Sequence, residues 1–197
     1  MPASRTGERK QQILQVLAQM LENPKGEKIT TAALAKRLDV SEAALYRHFA
    51  SKAQMFEGLI EFIEQTVFSL VNQIAEREGA AEAGGGTRHA GKVVAMLIQF
   101  GEKNPGMTRV MVGDALVFEN ERLQQRMNQF FDKIEATLRQ GLRDGAAANG
   151  TATPTVDAQV QASVLTAFVM GRLQRFARSG FKRLPSEHLE ASLALIL

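Results

Sequence analysis

The segment from residue 29 to residue 52 constrains the fold of this 197-residue chain more than any other stretch. Thr30 or Thr31 can cap the free N–H groups of a first short helix, and Ser41 can cap a second one. Asp39 stands between the two helices, and aspartate enters the left-handed region at modest cost. The segment therefore predicts two short helices joined by a tight turn, which is a helix-turn-helix.

The two predicted helices have an apolar side and a polar side. The apolar residues that can form a small shared core are Ala35, Leu38, Val40, Leu45 and Phe49. The outward residues of the second helix, which we expect to run to about Phe49, are Glu42, Ala43, Tyr46, Arg47 and His48. Because the major groove of DNA admits an α-helix and exposes base edges, this second helix is the expected reader of DNA. A lone Tyr46 or His48 is, however, more often a packing or capping residue than a DNA contact.

The same segment resembles the DNA-binding domain of the TetR family, whose pattern includes V-S-x-x-x-L-Y-x-H-F-x-S-K. The matching residues are Val40, Ser41, Leu45, Tyr46, His48, Phe49, Ser51 and Lys52. The family usually has glycine where Asp39 stands and often proline at Ala50. The resemblance implies a dimer that reads palindromic double-stranded DNA, and we expect Thr31, Ser41 and Lys52 to join the second helix in contacting it. Thr31 and Lys52 are the expected contacts to the sugar-phosphate backbone.

The rest of the chain reads as helical, because apolar residues recur at helical spacing and no alternating strand-like run lasts. We expect an all-α protein of about nine helices. Residues 1–52 would form a three-helix DNA-binding head, and residues 53–197 a dimerisation and regulatory body. The predicted helices outside the helix-turn-helix cover about 9–22, 52–78, 87–103, 107–113, 119–143, 155–179 and 186 onward, with loops at 23–26, 79–86 and 144–154.

Composition agrees with a protein that stays in the cytoplasm. The chain has no cysteine and no apolar run near the roughly 20 residues of a membrane span, and no apolar signal region follows its first charges. Residues 1–52 carry nine Lys or Arg against five Asp or Glu, while the remainder is close to neutral. A basic head suits contact with phosphates, although ordinary variation in a soluble chain explains it equally well.

Catalytic and metal-binding patterns are absent from the sequence. His48, His89 and His188 have no partner at metal-ligand spacing. Neither a phosphate-binding glycine loop nor a nucleophile elbow is found, and Glu119 and Glu121 read as a solvated helix face. We expect no enzyme, no metal and no cofactor.

One edge of the helix predicted near 155–179 suggests a dimer interface. Its residues are Val160, Val164, Ala167 and Gly171. Such a stripe is more often part of a monomer core. A helix-turn-helix head normally needs a dimer, however, and two carboxy-terminal helices from each subunit could form a four-helix interface.

The body resembles one branch of the TetR family in particular, the nucleoid occlusion factors of bacterial cell division. The matching runs are LIEFIE at 59–64, FGE-NPG-TR at 100–109 and ALVFENERLQQRMNQFF from Ala115. This resemblance implies a nucleoid-associated protein that disrupts polymers of the tubulin-like division GTPase FtsZ over the chromosome. The implied partner-binding residues are Phe62, Phe100, Lys103 and Asn104. For Phe100 a core role is at least as good, and Lys103 and Asn104 can simply cap a helix end.

A second function stays open, which is a TetR-type transcriptional repressor released from DNA by a small-molecule effector. Most of the family hold a ligand pocket in the body. One tyrosine and no tryptophan are thin provision for stacking on a drug-like ligand, although methionine and phenylalanine can line a pocket as well.

Overall fold

The structure is a computed structural model that describes residues 5–23, 29–78, 85–148, 150 and 152–197. Within these ranges it contains nine α-helices and no strand, which confirms the all-α prediction. The helices are α1 (Arg5–Leu21), α2 (Thr31–Arg37), α3 (Glu42–Tyr46), α4 (Lys52–Glu78), α5 (Gly85–Lys103), α6 (Pro105–Met111), α7 (Glu121–Ala148), α8 (Pro154–Arg178) and α9 (Leu189–Ile196). A 3-10 turn at Asp114–Leu116 lies between α6 and α7.

Local hydrogen bonds set the helix-turn-helix as the sequence predicted. The Thr30 hydroxyl accepts from the backbone N–H of Ala33 at 3.1 Å, and the Ser41 hydroxyl accepts from that of Ala44 at 3.2 Å. Asp39 has a φ of 53°, so it occupies the left-handed region. The N–H of Val40 donates to the Ala35 carbonyl at 3.0 Å, and the N–H of Asp39 donates to the Lys36 carbonyl at 3.3 Å. These two bonds are the pair that defines a Schellman motif at the end of a helix.

The second helix is shorter than predicted and ends at Tyr46 instead of near Phe49. The N–H groups of His48 and Phe49 both donate to the Leu45 carbonyl, at 2.9 and 3.1 Å. The chain tightens there, and Phe49 turns into the core with 8% of its surface exposed. The free energy gained by burying the Phe49 ring exceeds the free energy that further regular helix would contribute.

The core runs continuously from the head into the body. In the head, Ile13 and Leu17 of α1 belong to the same buried cluster as Leu34 of α2 and Leu45 of α3, and all four residues are only 1% exposed. In the body, the buried residues come mainly from α4, α5, α7 and α8, and the core includes fully buried Phe56 and Phe130. Each such side chain contributes about 1.5–3 kcal/mol by burial.

Two of the predicted loops are partly helical. Gly85 and Gly86 begin α5, and α7 continues to Ala148, beyond the predicted end near residue 143. A Cβ on Gly86 would lie 2.5 Å from the Gly141 carbonyl oxygen, and one on Gly145 would lie 2.7 Å from the Gly86 Cα. These glycines therefore let α5 and α7 cross backbone to backbone, where the sequence suggested only flexible turns. The remaining parts of the predicted loops lie outside the described residues, namely 24–26, 79–84, 149 and 151.

Helices α4 and α6 both contact the head. Helix α4 runs from the head into the body, and its 27 residues are about 40 Å long. Helix α6 packs on α1 so closely that a Cβ on Gly106 would lie 2.0 Å from the Ala18 carbonyl oxygen. Next to that contact, the Arg109 guanidinium donates to the carbonyls of Leu21 and Asn23, at 3.2 Å each. None of the helices in the described residues is long and apolar enough to cross a membrane.

Candidate nucleic-acid interface and partner surfaces

The exposed face of α3 carries most of the residues predicted to read DNA. Glu42, Ala43, Tyr46 and Arg47 are exposed, and Tyr46 keeps 45% of its surface in solvent. Such a face can place hydrogen-bond donors and an aromatic ring against base edges. His48 differs, because it is half buried. Its Nδ1 is buried and makes no hydrogen bond within the described part of the chain.

Thr31 and Glu42, the first residues of α2 and α3, are hydrogen-bonded to each other. The Thr31 hydroxyl donates to Glu42 Oε2 at 2.6 Å. A phosphate oxygen can only accept, so a phosphate that binds the Thr31 hydroxyl must replace the Glu42 carboxylate as its acceptor. Ser41 lies beside them, and its hydroxyl is occupied in capping α3.

Lys52, predicted to contact the DNA backbone, is ion-paired with the body. Its Nζ contacts Glu119 Oε1, and it lies over the Phe56 ring at 5.6 Å from the centroid. The side chains of Lys52 and Glu119 are only 22% and 13% exposed. Glu119 is thus not part of a solvated helix face, which corrects the sequence interpretation, whereas Glu121 is exposed as expected. Sequence reasoning missed this pair because its members stand 67 positions apart.

Two further ion pairs join α4 to α7 beyond Lys52. Arg122 Nε lies 2.8 Å from Glu57 Oε1, and Arg126 Nη2 lies 2.6 Å from Glu64 Oε2. The hydrogen bonds that Arg126 donates to Glu64 raise the pKa of Arg126, although burial acts in the opposite direction. Because its pKa is raised, this guanidinium stays charged even above its usual titration range, and it is fully charged at neutral pH.

A groove between α1, α4 and α6 brings together two of the predicted partner-binding residues. Its volume is about 430 Å³, and Phe62 and Asn104 both line it. Phe62 is 40% exposed, so a large ring stands open to solvent. Of the other two predicted residues, Lys103 is exposed at the end of α5. Phe100 is 9% exposed and belongs to the core, so its burial favours a packing role.

The outer face of α8 is an uncovered apolar stripe. Val160 and Val164 are 59% and 46% exposed, and Ala167 and Gly171 are exposed as well. A Cβ on Gly171 would have no heavy atom within 4 Å. Leu195 of the adjoining α9 is 90% exposed. These four predicted residues therefore lie together outside the core of the single chain, as a dimer interface requires.

A second cavity of about 430 Å³ lies where α4, α5 and α7 meet. Ala75, His89, Thr137 and Gly141 are among its lining residues. His89 is 8% exposed, and it interacts with other residues of the chain. No cluster of three or more potential metal ligands occurs in the part of the chain that the structure describes.

Comparison with known proteins identifies both parts of the chain. Residues 27–59 match the family of bacterial regulatory proteins, tetR family, and residues 87–197 match the SlmA-like group of tetracyclin repressor-like C-terminal domains. The chain is 48% identical over 197 residues to the nucleoid occlusion factor SlmA of Vibrio atlanticus, covering 100% of this chain and 97% of that protein. It is 49% identical over 189 residues to the factor of Vibrio cholerae, covering 95% and 93%.

Solved structures of lower identity show the same fold. The transcriptional regulator FadR from Bacillus subtilis, in complex with stearoyl-CoA, matches with a TM-score of 0.74 at 13% identity, over 94% of this chain and 96% of that chain. FadR from Bacillus halodurans matches with a TM-score of 0.72 at 14% identity, over 100% and 96%. The helix-turn-helix, the helical body and the full-length similarity agree. The chain belongs to the TetR family of non-enzymatic DNA-binding regulators and, within it, to the group of the nucleoid occlusion factor SlmA.

Proposed function

We propose that this protein is a nucleoid occlusion factor that binds chromosomal palindromes as a homodimer. Bound there, it antagonises polymers of the division GTPase FtsZ and so blocks septum formation over the nucleoid. The observation that carries the proposal is the 48% identity over the full length to SlmA, which includes the body as well as the head. Such a protein would work in the cytoplasm, associated with the nucleoid.

The uncovered stripe on α8 supports the homodimer. Exposed valines on one face of a long helix would otherwise remain in water, and burial of such apolar area stabilises association. Two copies related by a two-fold axis would present two α3 helices, which suits a palindromic site with half-sites one or more helical turns apart.

The DNA-binding role is tested by Arg47→Ala. Arg47 is exposed and directly follows Tyr46 at the end of α3, so it is the side chain best placed to donate to a guanine edge. We expect its loss to cost about 1–3 kcal/mol and to relax base preference at one position of each half-site. Fluorescence anisotropy with a palindromic duplex, selected by binding from a random pool, would measure both effects.

Arg143→Ala is the matched control, because Arg143 is an exposed arginine on α7. It should leave affinity and base preference unchanged. Equal affinity and base preference in Arg47→Ala and Arg143→Ala would contradict the assignment of α3 as the reading helix.

The partner-binding role is tested by Lys103→Glu. Lys103 is exposed next to Asn104, which lines the groove with Phe62. Charge reversal should turn attraction into repulsion toward an acidic polymer surface and abolish disruption of FtsZ polymers. Surface changes distant from a site usually alter stability by less than about 0.5 kcal/mol, so DNA affinity should stay within a few-fold. Co-sedimentation with FtsZ polymers, with and without the palindrome, gives the measurement.

Lys133→Glu is the control for that experiment, since it reverses an exposed lysine on α7. It should disrupt polymers as the wild type does. If the wild type fails to bind FtsZ even on its palindrome, the occlusion proposal is wrong and the transcriptional repressor takes its place.

The repressor alternative has one observation in its favour, which is the cavity beside His89 that a small effector could enter. Chromosomal binding separates the two functions. Occlusion requires many sites spread over the chromosome, whereas a repressor released by an effector would occupy one or two promoters.

A further inference from the structure

We propose that Glu119 sets the DNA affinity of this protein by competing with a DNA phosphate for Lys52. Glu119 itself would not touch DNA. It would act through Lys52, as an internal carboxylate in place of the phosphate. The inference rests on the proposed function, because it takes Lys52 to be a contact to the DNA backbone.

The geometry shows that the Lys52 side chain is held by the body. Its Nζ contacts Glu119 Oε1 and also faces the Phe56 ring, so two directions around the ammonium are already occupied. The lysine side chain is nevertheless a flexible four-carbon stem with three rotatable donors. It can therefore turn toward another anion while its backbone stays at the start of α4.

The backbone of Glu119 is anchored to the body. Its backbone N–H donates to the Leu116 carbonyl at 3.0 Å, and Leu116 is 3% exposed. Asn120 then caps the start of α7, because its side-chain oxygen accepts from the Arg122 N–H at 3.1 Å. The backbone that carries this carboxylate is thus held by the body between a buried residue and the start of a helix, so the carboxylate stays near the start of α4 when Lys52 turns away.

A phosphate that approaches Lys52 therefore meets a second anion. The two negative groups repel each other at short range, and the partly buried pair is screened less than a pair in open solvent. The free energy gained from the contact between Lys52 and the phosphate is consequently reduced by the free energy lost when the contact with Glu119 loosens. Neutralising Glu119 should remove this competition and strengthen DNA binding.

The experiment compares Glu119→Gln with Glu121→Gln. Both substitutions remove one negative charge, at positions two residues apart, but only Glu119 contacts Lys52. We expect Glu119→Gln to bind DNA about threefold more tightly than Glu121→Gln, in line with a modest ion pair. The gain should be equal on a palindrome and on a random-sequence duplex, because phosphate contacts carry no base information.

Lys52→Gln decides whether the effect passes through the lysine. Lys52→Gln should weaken binding to every duplex and reduce the slope of log K against log salt by about 0.9. In the Lys52→Gln background, Glu119→Gln and Glu121→Gln should differ by less than about twofold. If Glu119 acted only by stabilising the structure, the threefold difference in DNA affinity would persist in the Lys52→Gln background.

The NMR signal of the Glu119 carboxylate provides a second readout in the wild type, which does not depend on the variants folding well. It should shift when DNA is added, because the carboxylate loses its contact with the Lys52 ammonium. Equal affinity of Glu119→Gln and Glu121→Gln would overturn the inference, as would an unchanged salt slope in Lys52→Gln. In either case DNA binding itself would stand. A wild type that binds no duplex would overturn the proposed function as well.

Discussion

At the scale of single residues, the turn of the helix-turn-helix depends on one left-handed position. Asp39 has a φ of 53° and occupies the place after α2 that glycine usually takes in a Schellman motif. A non-glycine residue there costs roughly 1–2 kcal/mol, and less for Asp or Asn, whose short polar side chains tolerate the region. Asp39 is therefore tolerated at this position, although glycine would have the least backbone strain there.

Substitutions at Asp39 should follow this strain. Asp39→Gly relieves it but adds freedom to the unfolded chain, so we expect stabilisation of only about 0.5 kcal/mol. Asp39→Val should destabilise by about 1–2 kcal/mol, because a β-branched residue is disfavoured at positive φ. Urea unfolding would measure the series, with Asp39→Asn as the control near wild type. Equal stability of the Val and Asn variants would contradict the strain argument.

At the scale of helices, the decisive feature is how closely certain pairs approach. Helix α6 contacts α1 through Gly106, and α5 contacts α7 through Gly86 and Gly145. In each crossing a side chain as small as a methyl group would collide with backbone atoms of the other helix. Because α1 and α6 are both walls of the groove that holds Phe62, their separation also sets the shape of that groove.

Gly106→Ala should separate α6 from α1. Its Cβ would lie 2.0 Å from the Ala18 carbonyl oxygen, so the helices must shift, and such overpacking typically costs about 1–3 kcal/mol. Gly91→Ala is the control within α5, because its Cβ meets only Leu197 Cδ1 at 3.4 Å. The control should gain about 0.5–1 kcal/mol from helix propensity. Thermal unfolding in which both variants shift in the same direction would contradict the described crossing.

At the scale of the whole molecule, the stripe on α8 predicts the assembly. Gly171→Leu should be tolerated by the single chain, since no atom lies within 4 Å of its Cβ, yet it should hold two facing helices apart. We expect the dimer dissociation constant to rise by about tenfold or more, or about 1.4 kcal/mol. Sedimentation at micromolar concentration would show the shift.

Gly7→Leu is the control for the dimer, because Gly7 is another helical glycine with open space but lies on α1. It should leave the sedimentation profile of the wild type unchanged. A wild-type chain that remains monomeric without DNA, or a Gly171→Leu variant as dimeric as Gly7→Leu, would contradict the proposed interface.

The sequence by itself determined what depends on neighbours along the chain. Thr30 and Ser41 cap their helices through bonds that span three residues, and Asp39 forms its turn through bonds to the preceding helix. Helical periodicity likewise predicted most of the helices, because burial of one face follows from spacing alone. The expected boundary between head and body near residue 52 stays a prediction.

Only the tertiary structure decided what depends on residues far apart in the chain. Lys52 and Glu119 are separated by 67 positions, and no local pattern indicates that they meet. The glycines of α5 and α7 resemble loop residues until the two backbones are seen in contact. On α8, both Ala162 and Val160 are apolar, yet Ala162 is buried and Val160 is 59% exposed. Which apolar face enters the core is decided by where α7 packs, because packing between helices, unlike capping, is a property of two distant segments at once.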